Sequence, residues 1–536
     1  MKRDLKRLAD ERFDLLVIGG GITGACVARD AAMRGLSVAL VEKNDFAHAT
    51  SAHNSKLIHG GLRYLRNFEL GLVRESLRER RIWQRIAPHL VHPLPFLIPM
   101  YGADWKARAE LAAGLTLYDL LAFDRGWVDD PAQRLPGHRW LDARAALEHE
   151  PRLDGPKFCG TFEYYDAQMY SPERMALECV LDAVAHDAAV ANYVSAERLL
   201  LRDGRAEGAM VADCFSDNRF DIRAAVTIIA AGPWADIFLA QALGKPASHK
   251  LMRSKGIHLI VPEMTKHAAL TVAARGGHFF ILPWRGHSLL GTTDTAFAGS
   301  PDNVGVTEED IAALLDFINA HLASAHLSRA DVQHFYAGLR PLVDDGSGDT
   351  YDASRSAELI DHGKEDSVSG LYSSIGGKWT TSRHLAEQAV DRLVAKLGKP
   401  PRACATATTK LPGAPEGAFG AILDSTPAPQ QHIARLYGTR APQMLSLAAS
   451  NADLRQQLSE SGDIAAEVPF AVREEMALTL EDVVMRRTGI GQVGNPGASV
   501  LATCAQIMAN ELGWSEERRA SEIAAVEINF KTQGAA

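Results

Sequence analysis

Residues 13–18, FDLLVI, form an apolar run too short for a helix, and the run stops at Gly19, Gly20 and Gly21. Residues 22–33 are alanine-rich with a helical pattern and end just before Gly35. Residues 37–41 form a second β run, followed by Glu42. This order predicts a β-α-β unit of about 30 residues. Further along, helices are predicted over 69–86, 104–123, 172–186, 308–322 and 380–397. Residues 94–99 are proline-rich and extended. Strands are predicted over 160–165, 225–230, 256–261, 279–282 and 371–375, and residues 338–342 carry a turn signal. Beyond Lys399, Pro400 and Pro401 the pattern becomes helical to the end, with no β-rich run and no internal repeat.

The chain has 536 residues, enough for about three or four domains. Hydrophobic residues make up 46% and charged residues 23%, which excludes a disordered, collagen-like or coiled-coil chain. The net charge of −9 weighs against a nucleic-acid binder, which usually carries a basic excess. The six cysteines are scattered with no C-x-x-C pair, the pattern of a reduced intracellular protein without a structural zinc site. No histidine or acidic cluster has metal-ligand spacing, so no metal is expected. No G-x-S-x-G elbow supports a serine hydrolase. No stretch reaches the roughly 18 apolar residues that cross a bilayer, and the charged N-terminus lacks a secretory h-region. A location on the cytoplasmic side is expected.

Gly19-x-Gly21-x-x-Gly24 follows a strand and opens a helix. The first glycine permits the turn, the second lets backbone approach a pyrophosphate, and the third lets helix and strand pack closely. The phosphates would sit at the helix N-terminus. Glu42, 18 positions after Gly24, stands where a carboxylate accepts hydrogen bonds from a ribose. Gly232 (in Ala231-Gly232-Pro233-Trp234) and Gly377 (in Gly376-Gly377-Lys378) each end another predicted strand. One dinucleotide touched by three distant segments favours FAD over NAD, whose domain is usually contiguous.

Ser55-Lys56-Leu57-Ile58-His59-Gly60-Gly61-Leu62-Arg63-Tyr64 resembles the signature of the FAD-dependent glycerol-3-phosphate dehydrogenases. So do Lys255-Gly256-Ile257-His258, Gly291-Thr292-Thr293-Asp294, Gly338-Leu339-Arg340-Pro341-Leu342 and Gly376-Gly377-Lys378-Trp379-Thr380-Thr381, in the same order. The resemblance covers most of residues 12–400 and continues more loosely through Glu475-Met476-Ala477 and Arg486-Arg487-Thr488. His53-Asn54 depart from the family pattern, as does the stretch after Arg355. The implied fold is α/β: a Rossmann-like FAD-binding domain of discontinuous segments (1–100, 160–245, 335–400), a substrate domain with an antiparallel sheet (101–159, 246–334) and a helical C-terminal domain (401–536).

The resemblance implies oxidation of sn-glycerol 3-phosphate to dihydroxyacetone phosphate, with non-covalent FAD passing electrons to a membrane quinone. It implies a peripheral protein on the inner face of the cytoplasmic membrane, with a homodimer possible. Ser55, Lys56, His59, Gly60, Lys378 and Thr380 would join the glycines and Glu42 at the cofactor. Tyr64 and Lys255 would join the substrate site. Arg63 and Arg340 suit a phosphate because the guanidinium fork gives two parallel charge-assisted bonds; an isolated surface ion pair is the bland reading. Lys378 sits at a helix N-terminus, where a cation is unfavourable, so a functional role is the better reading. His258 lies in an apolar run, where an imidazole is more often a core residue, but the resemblance makes it a candidate base with a pKa near neutrality. Arg340, Lys378 and His258 are thus the catalytic candidates. Two other functions stay open: an amino-acid-oxidase-type flavoenzyme acting on an amine or 2-hydroxy acid, and a non-catalytic binder on the same fold.

Arg74, Arg78, Arg81 and Arg85 form one basic helical stripe. It is either a solvated face paired with Glu75 and Glu79 or a contact for anionic lipid. The helix over 104–123, with Leu111, Leu115, Tyr118 and Ala122 along one face, is a second candidate for the membrane interface.

Overall fold

The computed structural model describes residues 1–102, 104–153, 155–265, 267–274, 277–322, 324–343 and 357–534. Asp344 and Asp345, which the sequence reads as solvated surface or loop, and Arg355 lie outside the described residues.

Arg12–Ile18 alternates little in burial because both faces of its sheet are covered, one by helices and the other by the hairpin of Val194–Arg202 with Arg205–Asp213 and residues of two short helices. It is flanked by Val38–Val41 and Arg219–Ile229, both parallel to it. Leu371–Gly376 continues the parallel set beyond Arg219–Ile229, and Ala189–Ala191 extends it beyond Val38–Val41. Ala357–Asp361 and the hairpin of Val194–Arg202 with Arg205–Asp213 complete eight strands. Parallel strands end on the same side. Ile18, Ile229 and Gly376 therefore open their glycine turns at one sheet edge, where open α/β sheets bind ligands. The helix Ile22–Met33 packs against Pro172–Ala185 and Ser382–Lys396. Its small residues, among them Ala25, Ala28 and Ala31, are fully buried and keep these helices close.

The second sheet has ten strands and is mainly antiparallel. Leu251–Pro262 pairs with the whole of His334–Val343, placing Ser254 opposite Arg340 and His258 opposite Tyr336. Val91–Tyr101 pairs with Phe158–Met169. Pro93, Pro95 and Pro99 share one phase of that strand, so their missing N–H groups fall on one edge.

Strand membership redraws the domains predicted from sequence. Val91–Tyr101, Phe158–Met169 and His334–Val343 pair within the second, mainly antiparallel sheet, whereas the expected boundaries 1–100, 160–245 and 335–400 place most of them with the first. The turn expected over 338–342 is strand interior. Gly338 reads as a turn residue but faces Gly256 across the ladder and packs beneath the His53 carbonyl.

After Gly376 no further strand occurs among the described residues, and helices run from Ser382–Lys396 to Glu516–Ile528. The helical region has its own core, including Val468, Leu480, Leu501 and Met508. Buried ion pairs join it to segments around the first sheet: Asp45 meets Arg486 at 2.8 Å and Arg487 at 2.6 Å, and Arg174 meets Glu475 at 2.5 Å. The two guanidinium groups hold the buried Asp45 carboxyl below its ordinary range, against the opposing effect of burial.

Candidate active site

The three glycine turns line a single cavity of about 1570 Å³ lying between the two sheets. At the first turn a Cβ on Gly24 would overlap the Gly19 carbonyl, so helix and strand can meet this closely only with glycine there. Gly19, Gly21, Gly232, Gly376 and Gly377 all face the cavity. Glu42 lines it as well. One Glu42 oxygen accepts from the Gly20 N–H at 2.7 Å and the other from the Asn44 N–H at 2.9 Å. Burial raises its carboxyl pKa, and those two bonds pull it back down. Ser51 accepts the Ile22 N–H at 2.8 Å and so fixes the helix start beside the turn.

Arg340 lies across Gly256, where any Cβ would overlap the guanidinium. It donates to Ser254 Oγ at 3.0 Å, to Thr292 Oγ1 at 2.7 Å and to the Thr293 carbonyl at 3.1 Å, with Asp294 at 3.8 Å. Three quoted motifs thus converge on one side chain. Lys378 Nζ sits 3.7 Å from the centre of the Tyr64 ring and donates to Ser76 Oγ at 3.3 Å. Arg63 stacks on the same ring at 4.8 Å. Arg63, Tyr64, Arg340 and Lys378 all line the cavity, together with Ser55, His59 and Thr380.

His258 stands one layer behind the wall. Its Nε2 lies 2.9 Å from Ser55 Oγ, and its ring stacks on Tyr336 at 5.0 Å. Tyr336 is anchored by its hydroxyl to the Asn54 carbonyl at 2.7 Å. Burial, followed by the charges of Arg340 and Lys56, pushes the imidazole well below its ordinary pKa. The near-neutral value expected from sequence does not hold, because the strand that carries His258 is buried on both sides.

Two candidates point elsewhere. Lys255 pairs with Asp310 at 2.6 Å and donates to the Gly305 carbonyl at 3.3 Å, outside the cavity lining. On a strand, Arg253, Lys255 and Ile257 share one face and Ser254, Gly256 and His258 the other, so the motif cannot bring Lys255 and His258 to the same site. Lys56 is buried, donating to the Ala52 carbonyl at 2.7 Å and facing Glu173 at 3.7 Å, and also lies outside the lining. Gly24 and Gly60 are structural neighbours of the lining rather than part of it.

The sequence reading missed Asp166 and the support around Arg340. Asp166 lines the cavity, accepts from Tyr118 Oη at 2.8 and 2.9 Å and from the Gly60 N–H at 3.2 Å, and is ion-paired to Arg80. No local motif marks it. Thr292 and Thr293 were in plain view within a quoted motif. The fold also brings His432, Asp463 and Glu467 together, with ligand atoms within 4.8 Å, a grouping hidden by sequence separation. His432 bonds to Asp463 at 2.7 Å and to Tyr170 Oη at 2.6 Å, so both its nitrogens are engaged within the protein.

The cavity's cofactor edge agrees with what the chain is similar to. Residues 14–388 match the family model described as FAD dependent oxidoreductase, and residues 404–519 match the C-terminal domain of alpha-glycerophosphate oxidase. The glycerol-3-phosphate dehydrogenase of Synechocystis is 38% identical over 96% of both chains. The chain belongs to the FAD-dependent glycerol-3-phosphate dehydrogenase family. The mitochondrial glycerol-3-phosphate dehydrogenase of Mus musculus is 34% identical over 95% of this chain and 72% of its own. The solved Bacillus halodurans family member, complexed with FAD, superimposes with a TM-score of 0.78 at 28% identity, covering 99% of this chain and 97% of that one. The family's cofactor fits the residues present: the Gly19–Gly24 turn and helix start would hold the pyrophosphate, Glu42 the ribose, and Gly232 and Gly377 would border it from the other two turns.

Proposed function

We propose that this family member oxidises sn-glycerol 3-phosphate to dihydroxyacetone phosphate and delivers the electrons to a membrane quinone. The observation that carries the reading is that Arg63, Arg340 and Lys378 share one cavity with all three glycine turns. FAD, when bound, accepts the hydride from the substrate carbon and supplies the redox chemistry. The chain's own task is positioning. Arg340, fixed by Ser254, Thr292 and Thr293, has its fork pre-set for an oxyanion. Arg63 and Lys378 add positive charge around Tyr64. Ser55 Oγ stands between the cavity and His258 Nε2, so the neutral imidazole can take the alcohol proton through it. Neutral His258 is a weak base, which suits an alcohol already polarised by neighbouring cations.

The quinone and membrane parts of the proposal rest on an apolar branch of the same cavity. Leu65, Ile98, Met100, Leu111 and Leu117 line it, and Phe68, 85% exposed, stands at the same wall. Among the described residues no helix is long and apolar enough to cross a membrane, so a lipophilic acceptor would be met at the surface. The proposed organisation keeps three units: the cofactor domain, the substrate domain and the helical C-terminal domain. A cytoplasmic-side peripheral location and a possible homodimer belong to the same reading.

The test is anaerobic addition of sn-glycerol 3-phosphate to the purified holoenzyme. Bleaching of the flavin absorbance, reversed by a quinone analogue, is expected. A flavin left oxidised by glycerol 3-phosphate but reduced by an amino acid would overturn the substrate.

A further inference from the structure

A second cavity of about 380 Å³ lies where the start of Val91–Tyr101 and the turn at 284–287 meet the helical region. Its walls come from the start of Val91–Tyr101, the turn at 284–287 and the helix Gln431–Tyr437. Arg285 and Arg435 both line it, one from each domain. Neither has a carboxylate within ion-pair distance among the described residues. Arg285 Cζ lies 4.4 Å and Arg435 Cζ 5.8 Å from the centre of the Tyr170 ring. Arg285 makes one long bond, 3.5 Å to the Tyr170 carbonyl, and its Nε and Nη1 are buried without a hydrogen-bond partner. Burial lowers the pKa of Arg435, and Tyr170 only partly offsets this.

Two sparsely satisfied guanidinium groups beside one small cavity are costly, because a buried charge needs pairing. Asp463 feels the Arg285 charge and is held at about 2, first by His432 and then by Arg285. Its oxygens, however, are engaged by His432, Ser459 and the Gly489 N–H. Glu263 also lines the cavity, but it is exposed and faces water. His92 is held neutral by burial, at about 4, so it adds no charge at pH 7. The cavity lining therefore carries two guanidinium groups against one carboxylate, Glu263, a net positive charge in a partly desolvated space, the setting in which Arg binds oxyanions.

We propose that this interdomain cavity is a second anion site, separate from the flavin cavity, that takes inorganic phosphate or a small phosphomonoester between Arg285 and Arg435. The ligand would bridge the substrate sheet and the helical domain.

The site is tested on the FAD-loaded holoenzyme by isothermal titration with inorganic phosphate at constant ionic strength, and in a second arm with glycerol 2-phosphate. One binding event is expected to weaken at least tenfold in Arg435→Gln and in Arg285→Gln and to be unchanged in Arg63→Ala, with turnover of glycerol 3-phosphate kept in the first two variants. The tighter of the two ligands assigns the site to free phosphate or to a monoester, and either ordering supports it. Equal phosphate binding in wild type and Arg435→Gln would overturn the proposal. If either variant fails to fold, wild-type crystals soaked in selenate decide. An anomalous peak between Arg285 and Arg435 is expected, and its absence beside a peak in the flavin cavity overturns the site.

Discussion

Ser55 Oγ lies 2.9 Å from His258 Nε2, and of the two only Ser55 reaches the cavity wall. A proton leaving the substrate hydroxyl would meet the serine first and the imidazole second. His258→Ala should therefore slow flavin reduction by about 10²–10⁴-fold, the range of general acid–base catalysis, while substrate affinity changes little. Ser55→Ala should slow the same step. Anaerobic stopped-flow absorbance gives both rates, and an unchanged reduction rate in His258→Ala would move the base role to another residue.

Arg340 and Gly256 make a paired prediction. Arg340→Ala and Arg63→Ala should each lose about 2–5 kcal/mol of transition-state stabilisation, the cost of removing a charged partner from a buried ionic contact, with FAD retained. Gly256→Ala leaves the charge in place but puts a methyl group into the space the guanidinium occupies. It should depress kcat/KM in the same direction without bleaching the purified protein. Near-wild-type kcat/KM in both arginine variants would mean the phosphate is held elsewhere.

Cofactor retention should depend on Glu42. A charge-assisted hydrogen bond is worth about 1.5–3 kcal/mol, so Glu42→Ala should release FAD by at least tenfold more readily on dilution, followed by flavin fluorescence. Because Glu42 also accepts the Gly20 and Asn44 N–H groups, Glu42→Gln is the informative companion. It keeps one acceptor oxygen and should fall between the two. Full FAD retention in Glu42→Ala would remove the ribose contact from the account.

These sites differ in how far the sequence revealed them. The Gly19–Gly24 turn was legible because its chemistry is local: strand, glycines and helix are contiguous. Arg340 was legible only as a residue beside glycine, because the groups that aim it, Ser254, Thr292 and Thr293, reach it through strand pairing. Lys255 was misplaced for the same reason, since alternation along the strand sends it to Asp310 while Ser254 and Gly256 face Arg340. The turn read at 338–342 shows the limit of glycine as punctuation: here the missing side chain serves a close crossing within a sheet. Asp166 and the Arg285–Arg435 cavity had no local signature at all.

Acid should destabilise the protein through its buried histidines. Burial holds His48, His92 and His334 at about 4 and His53 at about 3. In the unfolded chain each takes up a proton near 6.5, while the folded state resists until the lower value. Stability is therefore full above about 6.5 and falls as the pH drops toward 4, by about 1.4 kcal/mol per group for each pH unit. Glu467 and Asp166, raised by burial, act in the opposite sense because the folded state binds their protons more readily. Burial raises Asp30, Glu42, Glu75, Glu150, Asp482 and Glu522 in the same sense, so the histidine contribution is read from the difference between wild type and a single variant. Between pH 6.5 and 4.5, His334→Gln should lower the slope of unfolding free energy against pH by about one proton relative to wild type, read from urea unfolding. A slope identical to wild type in that variant would count against a neutral His334.

Membrane contact should come from aromatic residues rather than from the arginine stripe. Arg74 grips Asp124 through bonds of 2.7 and 2.8 Å, Arg81 reaches the same carboxylate at 3.2 Å, and Arg85 reaches Asp129 at 3.2 Å. Glu79 is spent on Arg383. The stripe thus closes onto the segment that follows the helix Trp105–Leu121, and the expected partner Glu75 is not among its ion pairs. That helix buries Leu115 and Tyr118, with Ala122 just beyond it, against the substrate sheet, so the face read as interfacial is core. What remains outside is Trp105, Leu120, Phe123 and Trp127, between 63% and 71% exposed. Arg74 stacks on Phe123 at 4.4 Å and Arg81 on Trp127 at 5.7 Å, holding these rings outward. Burying a large apolar side chain is worth about 1.5–3 kcal/mol. The pair Leu120→Glu with Phe123→Glu should therefore cut flotation with vesicles at least tenfold and lower quinone reduction, while flavin bleaching by glycerol 3-phosphate is unchanged. Wild-type flotation should largely persist at high salt, because Arg74, Arg81 and Arg85 are already ion-paired and only the exposed Arg78 of the stripe stands outside those pairs. Binding lost in salt but kept in the double variant would return the contact to the basic stripe.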